Sequence, residues 1–133
     1  MAFLDSAGLV VEDDVNCSIQ RCRSLLWELC LGIHTTGFAA PTVEFGVHYT
    51  PLPYEAILEI LAELVLDAND VFVDIGCGKG RVICCASRRL LRGVVGIEVN
   101  DALVQVARSN ANRVRRRRTP ISILPVLAQD YDY

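Results

Sequence analysis

The apolar positions of this chain change period several times, and each change marks an element. Val15, Ile19, Cys22, Leu26, Leu29 and Cys30 recur every three or four residues, which predicts a helix with one broad apolar face. Asp13 or Asp14 is placed to cap its start, and Gly32 to end it near Leu31. From His34 to Pro53 the period vanishes among Gly37, Pro41, Gly46, Pro51 and Pro53, so this stretch reads as an ordered loop or short extended pieces. Pro53 suits the first turn of a second helix, where Ile57, Ile60, Leu61, Leu64 and Val65 form a buried stripe and Glu55, Glu59 and Glu63 a polar one. Val71-Phe72-Val73-Asp74-Ile75 is a short, β-branched, almost wholly apolar run, the pattern of a strand buried on both faces.

The same alternation repeats downstream. Val82, Ile83, Ala86 and Leu90 predict a helix finishing in Arg88, Arg89 and Arg92 and stopped by Gly93. Val94 to Glu98 reads as a second buried strand. Asn100 is a cap for a further helix between strands with Leu103, Val104, Ala107, Ala111 and Val114 inward, ended by Thr119-Pro120. Ile121 to Val126 is a third strand, and Pro125, which cannot donate to a ladder, puts it at a sheet edge. Strands alternating with helices imply an α/β fold: a Rossmann-like parallel sheet with helices, three strands recognisable, preceded by an N-terminal helical segment. The division is residues 1–48 for the N-terminal helix and loop and residues 49–133 for a Rossmann-like half-domain.

Composition narrows the class. Apolar residues make up 52% of the 133 positions and charged residues 22%, which supports a packed core and argues against disorder. No apolar run approaches the ~20 residues of a membrane span, since the longest, near Leu25 to Ile33, is interrupted by Glu28. A basic-then-apolar leader is not apparent, so the expected location is the cytoplasm. The six cysteines form no C-x-x-C pair, so no metal site is expected; Cys22, Cys30 and Cys84 or Cys85 read as reduced core thiols. Charge is split. Twelve acids and two bases up to Asp74 give −10, and four acids and eleven bases after it give +7. The arginine run Arg113, Arg115, Arg116, Arg117 and Arg118 is placed to complement a helix dipole in preference to binding nucleic acid, and the glutamate stripe to face Arg88, Arg89 or Arg92.

A strand running into glycines and then a helix builds a ligand site, because the helix start offers free N–H groups and glycines allow close approach. Two readings fail on spacing. The third glycine of a dinucleotide G-x-G-x-x-G falls on Arg81 or Ile83, and a Walker loop would need Lys-[Ser/Thr] after Gly80. What remains is acidic-x-G-x-G-x-G, with Asp74 ahead of Gly76, Gly78 and Gly80. Glu98 ends the next strand about 20 residues on, where a carboxylate takes two hydrogen bonds from a ribose diol.

Asp74-Ile75-Gly76-Cys77-Gly78-Lys79-Gly80-Arg81 resembles motif I of class I S-adenosylmethionine-dependent methyltransferases. The resemblance implies S-adenosyl-L-methionine as cofactor. Asp74, Gly76, Cys77, Gly78 and Gly80 would surround its methionine part, Glu98 would bind its ribose, and Asp130 and Tyr131 would lie near its adenine. Upstream, His48-Tyr49-Thr50-Pro51-Leu52-Pro53 and the helix after it resemble small protein-lysine methyltransferases and histone lysine methyltransferases of the Dot type, which implies Tyr49 and Thr50 as cofactor contacts and protein lysine as acceptor. The family fold adds a fourth strand beside the first, and its end carries the substrate motif. A strand with its crossover needs roughly 30 residues, and only Leu127 to Tyr133 follow the third strand. The expectation is a truncated methyltransferase with no nameable catalytic residue, whose open first-strand edge self-associates or takes a partner chain. A non-catalytic cofactor- or partner-binding module and an oxidoreductase nucleotide domain stay as alternatives.

Overall fold

The computed structural model describes residues 11–37 and 49–133, and the side chains of residues 11–14 are not described. The sequence reading of residues 38–48, including His48, lies outside the described residues. Elements run α1 (Val11–Leu31), α2 (Tyr54–Glu63), β1 (Val71–Ile75), α3 (Arg81–Ala86), β2 (Gly93–Ile97), α4 (Asp101–Arg113), β3 (Ile121–Leu124) and a short 3-10 turn (Ala128–Asp130). The three strands form one parallel sheet in the order β1-β2-β3, with Val71 opposite Gly93 and Val94 opposite Ile121. This is the expected Rossmann-like parallel sheet with helices. No helix among the described residues is long and apolar enough to cross a membrane.

α3 packs on β1 and β2 and touches both α2 and α4, so the three helices form one layer over the sheet. The core between them holds Tyr54, Ile57, Leu61, Ile83, Cys84, Ala86 and Val94. A large apolar side chain buried there contributes about 1.5–3 kcal/mol. α4 follows its sequence pattern at its start and along its inner face. Asn100 accepts from the Ala102 and Leu103 amides, and Leu103, Val104, Ala107, Ala111 and Val114 are all buried.

Other elements depart from the pattern. β1 is an edge strand of the described sheet, and Ile75 is 57% exposed, so it is not enclosed on both faces. β3 is the opposite edge, as Pro125 requires, and ends at Leu124. α3 has only six residues. Leu90 is exposed, and Gly93 opens β2 where a helix stop was expected. α4 ends at Arg113, ahead of Thr119-Pro120, because Val114 turns extended at ψ 126°. α2 stops at Glu63 for the same reason, with Leu64 at ψ 125°. Ile57 and Leu61 are buried, whereas Ile60, Leu64 and Val65 face out. Tyr54, unmarked by the pattern, completes the buried stripe.

α1 shows the largest difference. It begins at Val11, and Gly32, at φ 76°, ends it as expected. Among the described residues its C-terminal end is the part that packs into the core, through Trp27, Glu28 and Leu31. Val15, Ile19, Cys22, Leu26, Leu29 and Cys30 are exposed, so Cys22 and Cys30 are not core thiols, whereas Cys84 and Cys85 are. A helical period identifies an apolar face without saying what covers it.

The arginines act locally. Arg117 donates to the Ala111 carbonyl of α4, the dipole-complementing role expected. Arg115 instead caps α1, its amide bonding Leu31 O and its guanidinium Leu29 O. Glu55 pairs with Arg23 of α1 at 2.9 Å, not with the arginines after α3. Arg89 reaches the Leu61 carbonyl at the end of α2.

Candidate functional site

The site forms where β1 and β2 end. Beyond Ile75 the chain folds across the neighbouring strand, with the Gly76 and Cys77 amides both bonding Ile97 O at 2.8 and 2.9 Å. Gly76, Gly78 and Gly80 all have positive φ, which L side chains resist. Gly78 is the most constrained, because a Cβ there would lie 2.5 Å from Cε2 of Tyr49. The Gly78 amide donates to Glu98 Oε2 at 2.9 Å, and the Asn100 amide to Glu98 Oε1 at 2.9 Å. One carboxylate thus joins the glycine loop to the start of α4 and keeps further lone pairs for a ligand.

Tyr49 closes over this loop. Its hydroxyl donates to Thr35 O at 3.0 Å, and Lys79 Nζ stands 4.9 Å from its ring centroid. Burial pushes the Tyr49 phenol up to about 12. Lys79 Nζ also bonds the carbonyls of Thr36 and Gly37. Asp74 lies one residue before the end of β1, and burial, then the Glu98 charge, raises its carboxyl to about 6. A raised carboxyl beside a second carboxylate favours a cationic ligand group.

The other predicted residues are less involved. The Cys77 side chain is buried, and a Cβ on Gly96 would come 2.7 Å from its Sγ, so Cys77 can offer the loop's ligand only backbone atoms. Burial pushes that thiol up to about 12, which removes it as a nucleophile near neutral pH. Thr50 is exposed. Asp130 and Tyr131 follow β3, at the same end of the parallel sheet as the glycine loop. Asp130 is exposed, and Tyr131 meets the Tyr133 ring edge-on at 4.8 Å.

Beneath the loop lies a buried polar cluster that the sequence reading missed. Glu28 Oε1 accepts from the amides and hydroxyls of both Thr35 and Thr36 at 2.6–2.7 Å. Arg81 places Nη2 3.5 Å from that oxygen, donates through Nε to the Thr35 hydroxyl, and lies over the Tyr54 ring. Burial alone would raise the Glu28 carboxyl, but the hydrogen bonds from Thr36 and Thr35 hold it below its usual value. Asn110, almost fully buried, bonds the Lys79 carbonyl and both backbone groups of His34. Two signals were present in the sequence: a lone acid inside the apolar run of α1, and an arginine where a dinucleotide loop has its packing glycine.

Several known proteins are similar to this chain in sequence or fold. A protein-lysine N-methyltransferase of Saccharolobus islandicus (strain REY15A) is 31% identical over 68 residues, which cover 50% of this chain. The chain spans 42% of the length of that relative. The structure of an RNA methyltransferase from Salinibacter ruber, in complex with S-adenosyl-L-homocysteine, is 30% identical with a TM-score of 0.56, over 62% of this chain and 54% of that one. A SAM-dependent methyltransferase from Thiobacillus denitrificans, also with S-adenosyl-L-homocysteine, shares the fold at 21% identity and a TM-score of 0.54, over 63% and 34% of the two chains. The family model for the histone methylation protein DOT1 matches residues 45–121, which take in Tyr49, the glycine loop and Glu98, and the chain belongs to that family.

Proposed function

We propose that this chain binds S-adenosylmethionine and forms the cofactor-binding part of a methyltransferase acting on protein lysine. The observation that carries the reading is Glu98, which follows directly after β2 and whose carboxylate accepts from the Gly78 amide at 2.9 Å. It presents hydrogen-bond acceptors where a ribose diol would sit, and Asp74 presents a second carboxylate for the methionine ammonium. The helix start after Gly80 and the Tyr49 ring complete the enclosure. Asp130 and Tyr131 extend it toward the adenine. Methyl transfer is largely a matter of holding the acceptor nitrogen in line behind the methyl group. The cofactor supplies the methyl group, and these residues orient it.

Support for a lysine acceptor comes from the histone-methylation family and the relative named a protein-lysine N-methyltransferase. The β1 edge pairs with β2 alone among the described residues and is suited to receive a further strand, from this protein or a partner. Calorimetry with S-adenosylhomocysteine and with NAD tests the cofactor, and NAD binding without S-adenosylhomocysteine binding would overturn it. Radiolabelled methyl transfer to protein and to RNA tests the acceptor. Labelling confined to RNA would refute lysine while leaving the cofactor assignment intact.

A further inference from the structure

The apolar face of α1 points to a second binding surface, remote from the glycine loop. Val15, Ile19, Cys22, Leu26 and Leu29 follow one another at spacings of four, three, four and three, the seam of a coiled coil. All five are exposed, Leu26 at 64% and Leu29 at 71%. They run along a 21-residue helix, about 31 Å long. A groove of about 430 Å³ runs beside Val15, Ile19, Cys22 and Leu26.

We infer that α1 pairs antiparallel with α1 of a second copy of this chain, about a two-fold axis at Cys22. The seam is nearly the same read in either direction, with residues seven positions before and after Cys22 and others three before and four after. An antiparallel pair therefore sets Val15 against Leu29 and Ile19 against Leu26 in both halves, as an isologous interface requires. Charge selects the same orientation. The first turn of α1 carries Glu12, Asp13 and Asp14. At the other end, a groove of about 610 Å³ is lined by Leu29, Gly32, His34, Arg113 and Arg115, and its one acid, Glu28, is taken up by Arg81 at 3.5 Å and by His34 at 3.3 Å. Antiparallel pairing lays the acidic turn of each copy over the arginines of the other, whereas parallel pairing would stack like charges. Of the two arginines that flank Cys22, Arg21 and Arg23, the second is already paired with Glu55 at 2.9 Å.

Sedimentation of the 133-residue chain should show a dimer that Leu26→Glu weakens by at least ~100-fold, since each dimer loses two buried leucines and gains two buried charges. The unfolding midpoint of the Leu26→Glu monomer, whose altered side chain is solvent-exposed, should match that of dilute wild type. Orientation is read by disulfide formation with Cys17, Cys22 and Cys30 replaced by Ser. Val15→Cys mixed with Leu29→Cys should cross-link as a heterodimer, and neither should cross-link alone. A monomer at ~100 μM, a dimer indifferent to Leu26→Glu, or homodimer cross-links of Val15→Cys alone would each overturn the proposal.

Discussion

Gly78→Ala tests the closure of Tyr49 over the glycine loop. The substitution adds one methyl group at φ 54°, where an L residue costs about 1–2 kcal/mol. The new Cβ would sit 2.5 Å from Tyr49 Cε2 and 2.8 Å from Cδ2, so the ring must leave. Leaving breaks its hydrogen bond to Thr35 O, about 0.5–1.5 kcal/mol, and its contact with Lys79, about 0.5–1 kcal/mol. The total is about 2–4.5 kcal/mol. In a Tyr49→Ala background the second part is already lost, and Gly78→Ala should cost only about 1–2 kcal/mol. Urea unfolding of the four proteins therefore closes a double-mutant cycle with a coupling of about 1–2.5 kcal/mol. A coupling within ~0.5 kcal/mol of zero would refute the contact. S-adenosylhomocysteine affinity gives an independent reading, since Gly78→Val should abolish binding in both backgrounds.

Two further perturbations probe the charges. Asp74, raised to about 6, must be ionised to hold a ligand ammonium, so S-adenosylhomocysteine affinity should fall about tenfold between pH 7 and pH 5; a flat calorimetric profile would exclude Asp74 from the ammonium contact. Because that carboxyl is raised, its contribution to stability is greatest below 3.8 and is lost as pH rises through about 6. Asp74→Asn should thus stabilise the ligand-free protein at pH 7, on the order of 1–3 kcal/mol in denaturant unfolding, while weakening cofactor binding. Arg81→Met takes the guanidinium away from buried Glu28 and should cost about 3–5 kcal/mol, partly restored by Glu28→Gln. The Glu28 carboxyl is held below 4.5, so the stabilisation it gives is full above that value and disappears as pH falls below it. Acid unfolding of Arg81→Met with an unchanged midpoint would count against this.

What the sequence made legible was local. β1, the glycine loop and Glu98 lie within 28 residues, and each carries its signal in residue type and spacing. α4 could be read to the side chain because a polar cap and a 3.6-residue period determine both its start and its inner face. The polar cluster was illegible because its partners are far apart: Glu28 and Arg81 are separated by 53 positions, and His34 and Asn110 by 76. Arg115 illustrates the same limit. Its charge predicted service to a helix C-terminus, but the helix it serves is α1, 86 residues upstream of it for the Leu29 bond.

Arg81 links these two levels. In a dinucleotide loop that position is a glycine, and its small size lets the helix approach the sheet. Here the Arg81 side chain leaves the loop and runs into the cluster holding Glu28 of α1, Thr35 and the Leu52 carbonyl ahead of α2. Thr35 in turn accepts the Tyr49 hydroxyl through its carbonyl, and Tyr49 covers Gly78. The residue that excludes the dinucleotide spacing is therefore also the one that fastens the upstream helix and lid to the cofactor loop. Loss of Arg81 should loosen Tyr49 as well as α1, so hydrogen exchange at the Gly78 amide should rise in Arg81→Met even though Arg81 does not touch that amide. Exchange that rises along α1 and stays unchanged at Gly78 would show that the lid and the helix are held separately.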